Sequence, residues 1–191
     1  NIKEIFFDVD LKGRSYVPLS QVSFALEHHF FRLDPMVYHL DNLLLHLLNT
    51  ALVFWLVWLL CRKTDVSAIA SLLFGIHPMH VESVAWITER KDVLYTFFYL
   101  LTAITYLLYA RPHRYKWGFY FLSALVFALS LLSKSMPVTL PVVLLLIDYL
   151  MRRKPNIAMF LDKIPFFAMA LAWGIVTIIK AQATQSIAGS E

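Results

Sequence analysis

The sequence is poor in the residues that staple small secreted proteins or cradle nucleotides. It holds one cysteine, Cys61, which excludes an internal disulfide and says little about redox compartment. Its five glycines form no glycine-rich nucleotide loop, and there is no nucleophile elbow and no CxxC pair. Charge is scarce as well, with Asp, Glu, Lys and Arg making up 16% of the chain. No internal repeat is visible. The chain opens on Asn1 without a signal-peptide pattern, and its first apolar span starts only near residue 36. The expectation is a piece of a longer membrane protein.

What is abundant is apolar. Hydrophobic residues make up 59% of the 191 residues, and mean hydropathy is +0.63. Soluble domains run about 45–50% apolar. Five apolar runs approach or exceed the roughly 17–25 residues that a bilayer crossing needs. The fold class expected is all-α, a polytopic transmembrane helix bundle of about six spans with an interfacial helix near the N-terminus. Net charge is +4, but the basic residues sit at the ends of apolar runs, as topology signals do. No nucleic-acid partner is expected.

Taken in order, residues 1–18 are polar and broken by Gly13 and Pro18. Ser20 to Phe31 is too short to span, and its broad apolar face suits a helix in the headgroup region. Asp34-Pro35 caps the next helix, Met36 to Leu60, along which His39, Asn42, His46 and Asn49 line one face. In lipid such a stripe faces the bundle interior, as inter-helix glue or as a cavity wall. Glue suits Asn49; His39 and Asn42 suit either role. Further spans are expected over Val66–Ile76, Val93–Ala110, Trp117–Leu132, Val138–Met151 and Ile164–Ile179. Three domains follow: 1–35 as the end of an extracytoplasmic loop, 36–180 as the bundle, and 181–191 as an extracytoplasmic polar tail. Asp148 is expected to pair with Arg152, one turn on.

Basic clusters at Arg62-Lys63, Arg111/Arg114/Lys116 and Arg152-Arg153-Lys154 fall at every second junction. The positive-inside rule places them in the cytoplasm and the alternate junctions, including His77–Asp92 and Ser133–Pro137, on the opposite side. Ionisable residues between membrane spans are costly and point to function. Arg90, Lys91 and Lys134 suit a phosphate, with snorkelling the other reading of Lys134, and carboxylates suit a metal or a general base. His77, His80 and Glu82 offer three ligands to a divalent metal, but the pattern matches no standard zinc spacing. The alternative places Pro78 at a helix start with His77 near its cap and Glu82 paired with a basic neighbour.

Four segments carry a family resemblance: Tyr16–Ser20 (YVPLS), Tyr38–His46 (YHLDNLLLH), His77–Asp92, and Ser133–Asp148 (SKSMPVTLPVVLLLID). In this order and spacing the chain resembles bacterial and archaeal relatives of the transmembrane and tetratricopeptide-repeat O-mannosyltransferases, which are GT-C class glycosyltransferases. The resemblance implies an integral membrane enzyme that takes a sugar, mannose among the candidates, from a polyprenyl-phosphate carrier. The sugar would pass to a hydroxyl of a protein or other acceptor on the extracytoplasmic side. The membrane would be the inner membrane in a bacterium, the plasma membrane in an archaeon or the endoplasmic reticulum in a eukaryote. It further implies that Arg90, Lys91 and Lys134 hold the lipid phosphate, that His77, His80 and Glu82 line or orient the cavity, and that His39 and Asn42 approach from the neighbouring span. The family's early acidic pair would lie before Asn1; Asp8 and Asp10 are acidic and nearby but do not match that pair, and stand only as candidates. The first span with its acidic pair and the tetratricopeptide repeats are both missing from this stretch, so the piece alone is expected to be inactive. A lipid or anion transporter and a non-catalytic membrane scaffold are the competing readings.

Overall fold

A computed structural model describes residues 17–112, 114–153 and 156–188, and every regular element among them is helical. Helix α1 (Pro18–Phe31) is followed by α2 (Pro35–Cys61), α3 (Thr64–Gly75) and the short α4 (His80–Ala85). A 3-10 turn, Ile87–Glu89, leads into α5 (Arg90–Ala110), then α6 (Lys116–Ser133). A second 3-10 turn, Met136–Thr139, opens α7 (Leu140–Leu150), and α8 (Ile157–Leu161) and α9 (Ile164–Ala188) complete the chain. Asp8 and Asp10 lie outside the described residues. Because α9 runs through Ala188, the stretch expected to be a polar tail from residue 181 is helical as far as it is described.

Local sequence sets the boundaries. The Asp34 carboxylate accepts from the Met36 amide at 3.0 Å, and Pro35 supplies the first helical φ of α2. At the other end Arg62 turns left-handed, with φ 58°, while its guanidinium covers the Trp58 ring at 4.4 Å. Four helical stretches have the length and apolarity to cross a bilayer: Pro35–Cys61, Ile87–Ala110, Lys116–Ser133 and Met159–Lys180. The other two expected spans are shorter, Thr64–Gly75 and Met136–Leu150. The 12 residues of α3 reach only about 18 Å at 1.5 Å per residue, less than a hydrocarbon core of about 30 Å. Helix α3 therefore ends part-way along α2, where His46 Nε2 lies 2.9 Å from the Gly75 carbonyl oxygen.

The core forms where α5, α6, α7 and α9 meet around Ile104, Tyr106, Leu107, Phe127, Leu144 and Phe166. Leucines on the outer faces, among them Leu43, Leu47, Leu125 and Leu171, stay exposed and suit contact with lipid. Small polar residues join the helices: Ser123 and Ser130, two turns apart on α6, donate to the Thr102 and Tyr95 carbonyls of α5 at 3.2 and 3.0 Å. Asn49 Nδ2 donates to the Val93 carbonyl at 2.9 Å, the gluing role expected of it.

The bundle has two distinct ends. At one, Arg111 donates to the Leu59 carbonyl, and Tyr109 donates to Asp162 Oδ2 at 3.0 Å. The three basic junctions share this end, as their alternation in sequence predicts. Here Asp148 is fully buried and pairs with Lys163 and Arg153, not with Arg152. Arg152 occupies a left-handed turn, with φ 51°, which carries its exposed side chain away from the cluster. At the opposite end α1 folds back onto the bundle, with Ser20 Oγ reaching the Ser133 carbonyl at 3.4 Å.

Candidate functional site

Arg90 is the first residue of α5, where a positive charge opposes the helix dipole. Partners from two other helices hold it there. Its Nε donates to Asn42 Oδ1 and its Nη2 to the Tyr38 carbonyl, both at 2.9 Å, and its Nη1 forms an ion pair with Glu27 Oε1. The Phe24 ring lies against the guanidinium at 4.5 Å. Arg90 is 1% exposed and Asn42 not at all. Asn42 spends its amide on the Trp86 carbonyl at 3.3 Å, which ties the turn before α5 to α2. Helices α1, α2 and α5 thus converge on one buried guanidinium.

Glu27 Oε2 is buried without a hydrogen-bond partner among the described residues. Burial, reinforced by the Asp41 carboxyl beside it, pushes Glu27 up to about 7, although Arg90 pulls the other way. These groups line a groove of about 350 Å³ walled by Leu26, Leu44, Leu45, Leu48 and Leu94, with Glu27, Asp41 and Arg90 as its charged members. Phe24 and Tyr38 line a second apolar groove, of about 500 Å³, on the side facing Ile87 and Thr88.

Two further cations stand at the same end, about one quarter exposed. Lys134 pairs with Asp92, in the first turn of α5, and its ammonium lies 5.6 Å from the Tyr95 ring centre. Lys91 pairs with Glu89 at 3.0 Å. The histidines form a separate group, in which His80 meets the rings of His46, Phe74 and His77 at 4.4–5.9 Å between centres and His46 stacks on Phe74. Burial, with His46 and His77 adding to it, lowers the pKa of His80. His77 Nδ1 accepts from the Met79 amide at 3.2 Å, so it caps the turn before α4.

The structure thus brings Arg90 and Asn42 into one network, sets Lys91 and Lys134 near it, and groups His77 with His80. His39 is exposed, apart from the buried Asn42, His46 and Asn49. Glu82 is exposed on α4 and makes no ion pair among the described residues. The same residues gather no three His, Cys, Asp or Glu side chains able to hold a metal ion. Glu27 and Asp41 belong to the site without having been singled out in the sequence. The signal was present: Glu27 is the one carboxylate on α1, and Asp41 adjoins Asn42 within the Tyr38–His46 segment.

Comparison with known proteins bears on this arrangement. The chain is 33% identical over 177 residues to protein O-mannosyl-transferase tmtc2 of Xenopus laevis, covering 86% of this chain and 21% of that protein. It is 36% identical over 129 residues to protein O-mannosyl-transferase TMTC2 of Homo sapiens, covering 66% and 15% of the two chains. With human protein O-mannosyl-transferase TMTC3 it shares 37% identity over 93 residues, 49% of this chain and 10% of that one. The chain is a relative of the protein O-mannosyl-transferases. It spans between about a tenth and a fifth of these relatives' lengths. No family model matches it, and no solved structure does.

Proposed function

We propose that the chain forms part of a membrane glycosyltransferase that moves a sugar, mannose by analogy with its relatives, from a polyprenyl-phosphate carrier to a hydroxyl of a protein on the extracytoplasmic side. The observation that carries this reading is the buried Arg90 in the wall of a leucine-lined groove, with Lys134 and Lys91 at the same end. An amphiphile with an anionic head and an isoprenoid tail matches both halves of that surface. When the bond between the sugar and the phosphate breaks, the departing phosphate keeps the bonding electrons, and preorganised cations lower the barrier. The acceptor hydroxyl gives its proton to a carboxylate. Asp8, Asp10 and Glu82 are the candidates within this chain.

In this reading Lys134 and Lys91 exchange their present carboxylate partners for the phosphate, whereas Asn42 holds the Arg90 guanidinium in place. The name of the relatives supports mannosyl transfer, and the chemistry of the groove supports an anionic amphiphile as donor. The test uses the full-length enzyme. Lys134→Met and Lys91→Met, partly exposed and outside the core, should weaken donor binding about tenfold or more each, since charged hydrogen bonds contribute about 1.5–3 kcal/mol. Arg90→Lys, which keeps a charge at this helix-joining position but not the guanidinium's fork of donors, should lose most of the transfer. Near-normal turnover in all three variants would refute the reading.

A further inference from the structure

Arg90 has three bonding directions, and only one of them is exchangeable. Nε and Nη2 are spent on Asn42 Oδ1 and the Tyr38 carbonyl, neutral groups built into α2. Nη1 is held by Glu27, a carboxylate on the α1 side of the groove. A phosphate in that groove therefore competes with Glu27 for the same N–H. Glu27 leaves Arg90 most readily as the neutral acid, because Asp41 stands beside it and its second oxygen is buried without another partner.

We propose that Glu27 is a built-in counter-ion occupying the phosphate seat on Arg90, and that an anionic prenyl phosphodiester enters the seat only as Glu27 takes up a proton. This rests on the reading of the groove as the site of an anionic amphiphile. Charge decides the coupling. With Glu27 ionised, its carboxylate fills the seat on Nη1, and together with Asp41 it outweighs Arg90 and repels an anion. Once Glu27 takes up a proton, Nη1 is released and the excess negative charge is gone. The charged groups acting on Glu27 are Arg90 from α5 and Asp41 from α2. Helix α6 meets α1 through the Ser133 carbonyl, its Lys134 is engaged with Asp92, and His28 and His29 are exposed on α1 itself. The ordinary carboxylate range is too low for such a site to work near neutrality. Burial supplies the correction by raising Glu27 to about 7. Glu27 is thus a positioning residue: it sets when Arg90 is available and does not touch the reacting atoms.

The experiment titrates the full-length protein in lipid nanodiscs with farnesyl methyl phosphodiester, whose single charge is constant across neutral pH. Calorimetry in buffers of different ionisation enthalpy counts the protons taken up. In the unmodified protein, affinity should fall about tenfold per pH unit above the midpoint, with close to one proton bound per ligand. Glu27→Gln should bind tightly with no pH dependence. Asp41→Asn removes the neighbour that raises Glu27, so its midpoint should move to lower pH and its affinity at neutral pH should drop. These opposite shifts separate the proposal from simple loss of structure. If Glu27→Gln does not fold, Asp41→Asn and the proton count decide alone. Binding without proton uptake, or an unchanged pH profile in Asp41→Asn, overturns the counter-ion role and leaves the lipid-phosphate reading standing. No binding at any pH overturns both.

Discussion

At the scale of single residues, the Arg90 cluster shows how burial changes what a side chain does. An arginine at a span end reads as a surface charge, yet here it is 1% exposed and holds three helices together. Stability should follow the protonation of Glu27. Its folded pKa, about 7, lies above the ordinary 4.5, so folding favours the protonated form. That contribution is complete below pH 4.5 and is lost as pH rises through 7. Thermal unfolding in detergent should therefore show the protein more stable at about pH 5 than at about pH 8, with Glu27→Gln narrowing the difference. A second expectation concerns Asn42, which accepts from Arg90 and donates to Trp86. Asn42→Ala should cost about 1–3 kcal/mol, the usual penalty for buried polar groups left without partners. An unfolding titration that puts Asn42→Ala level with the parent would show that the network does not hold the helices.

At the scale of elements, two junctions make distinct predictions. Helix α3 packs on α2 at Gly75, where an added Cβ would meet the Thr50 methyl and hydroxyl, each at 3.2 Å. Gly75→Val should push the helices apart and cost about 1–3 kcal/mol by overpacking. Thr50→Ala should recover part of that loss if the contact is the cause. The second junction joins α5, α7 and α9. Lys163 is buried between Asp148 and Asp162, with Tyr106 donating to Asp148 at 2.9 Å and Arg153 closing the cluster through Asp162 at 3.0 Å. Lys163→Met leaves Asp148 and Asp162 sharing the Arg153 cation in the interior and should cost about 3–5 kcal/mol, as broken buried pairs do. Adding Asp148→Asn should restore much of the stability, which chemical denaturation can measure.

For the whole molecule, the arrangement is a bundle with a cation-rich structural end and a second end where the grooves open. The exposed thiol of Cys61 belongs to the first end, and Ser135, in the turn after α6, to the second. Under the orientation read from the basic junctions, an impermeant maleimide should reach Cys61 only from the cytoplasmic side. A Ser135→Cys variant in a Cys61→Ser background should be labelled only from the opposite side. The reverse pattern would invert the proposed topology and place the groove in the cytoplasm. Helix α3, too short to cross alone, also makes sense at this scale. It lets the chain turn back beside His46, so that α4 and the Ile87–Glu89 turn pack against α2 and deliver Arg90 to its partners.

Apolar run length and the positions of Arg and Lys settled, by themselves, that this is a helical membrane bundle with its basic junctions at one end. Those features act locally, because a run must bury its backbone in lipid and a cation stays near the polar boundary. The polar face of α2 was legible for the same reason: a spacing of three and four fixes one side of a helix. Tertiary structure alone decided which partners the charges took. Nothing local ties Glu27 to Arg90, 63 residues apart, or Asp148 to Lys163 in preference to Arg152. Nor could periodicity show that His39 stays exposed while Asn42 is buried, because α3, α4 and α5 cover only part of the α2 face. Pairing of charges in a low-dielectric interior depends on distances that only the packed helices define, and those distances turned a list of polar residues into a site.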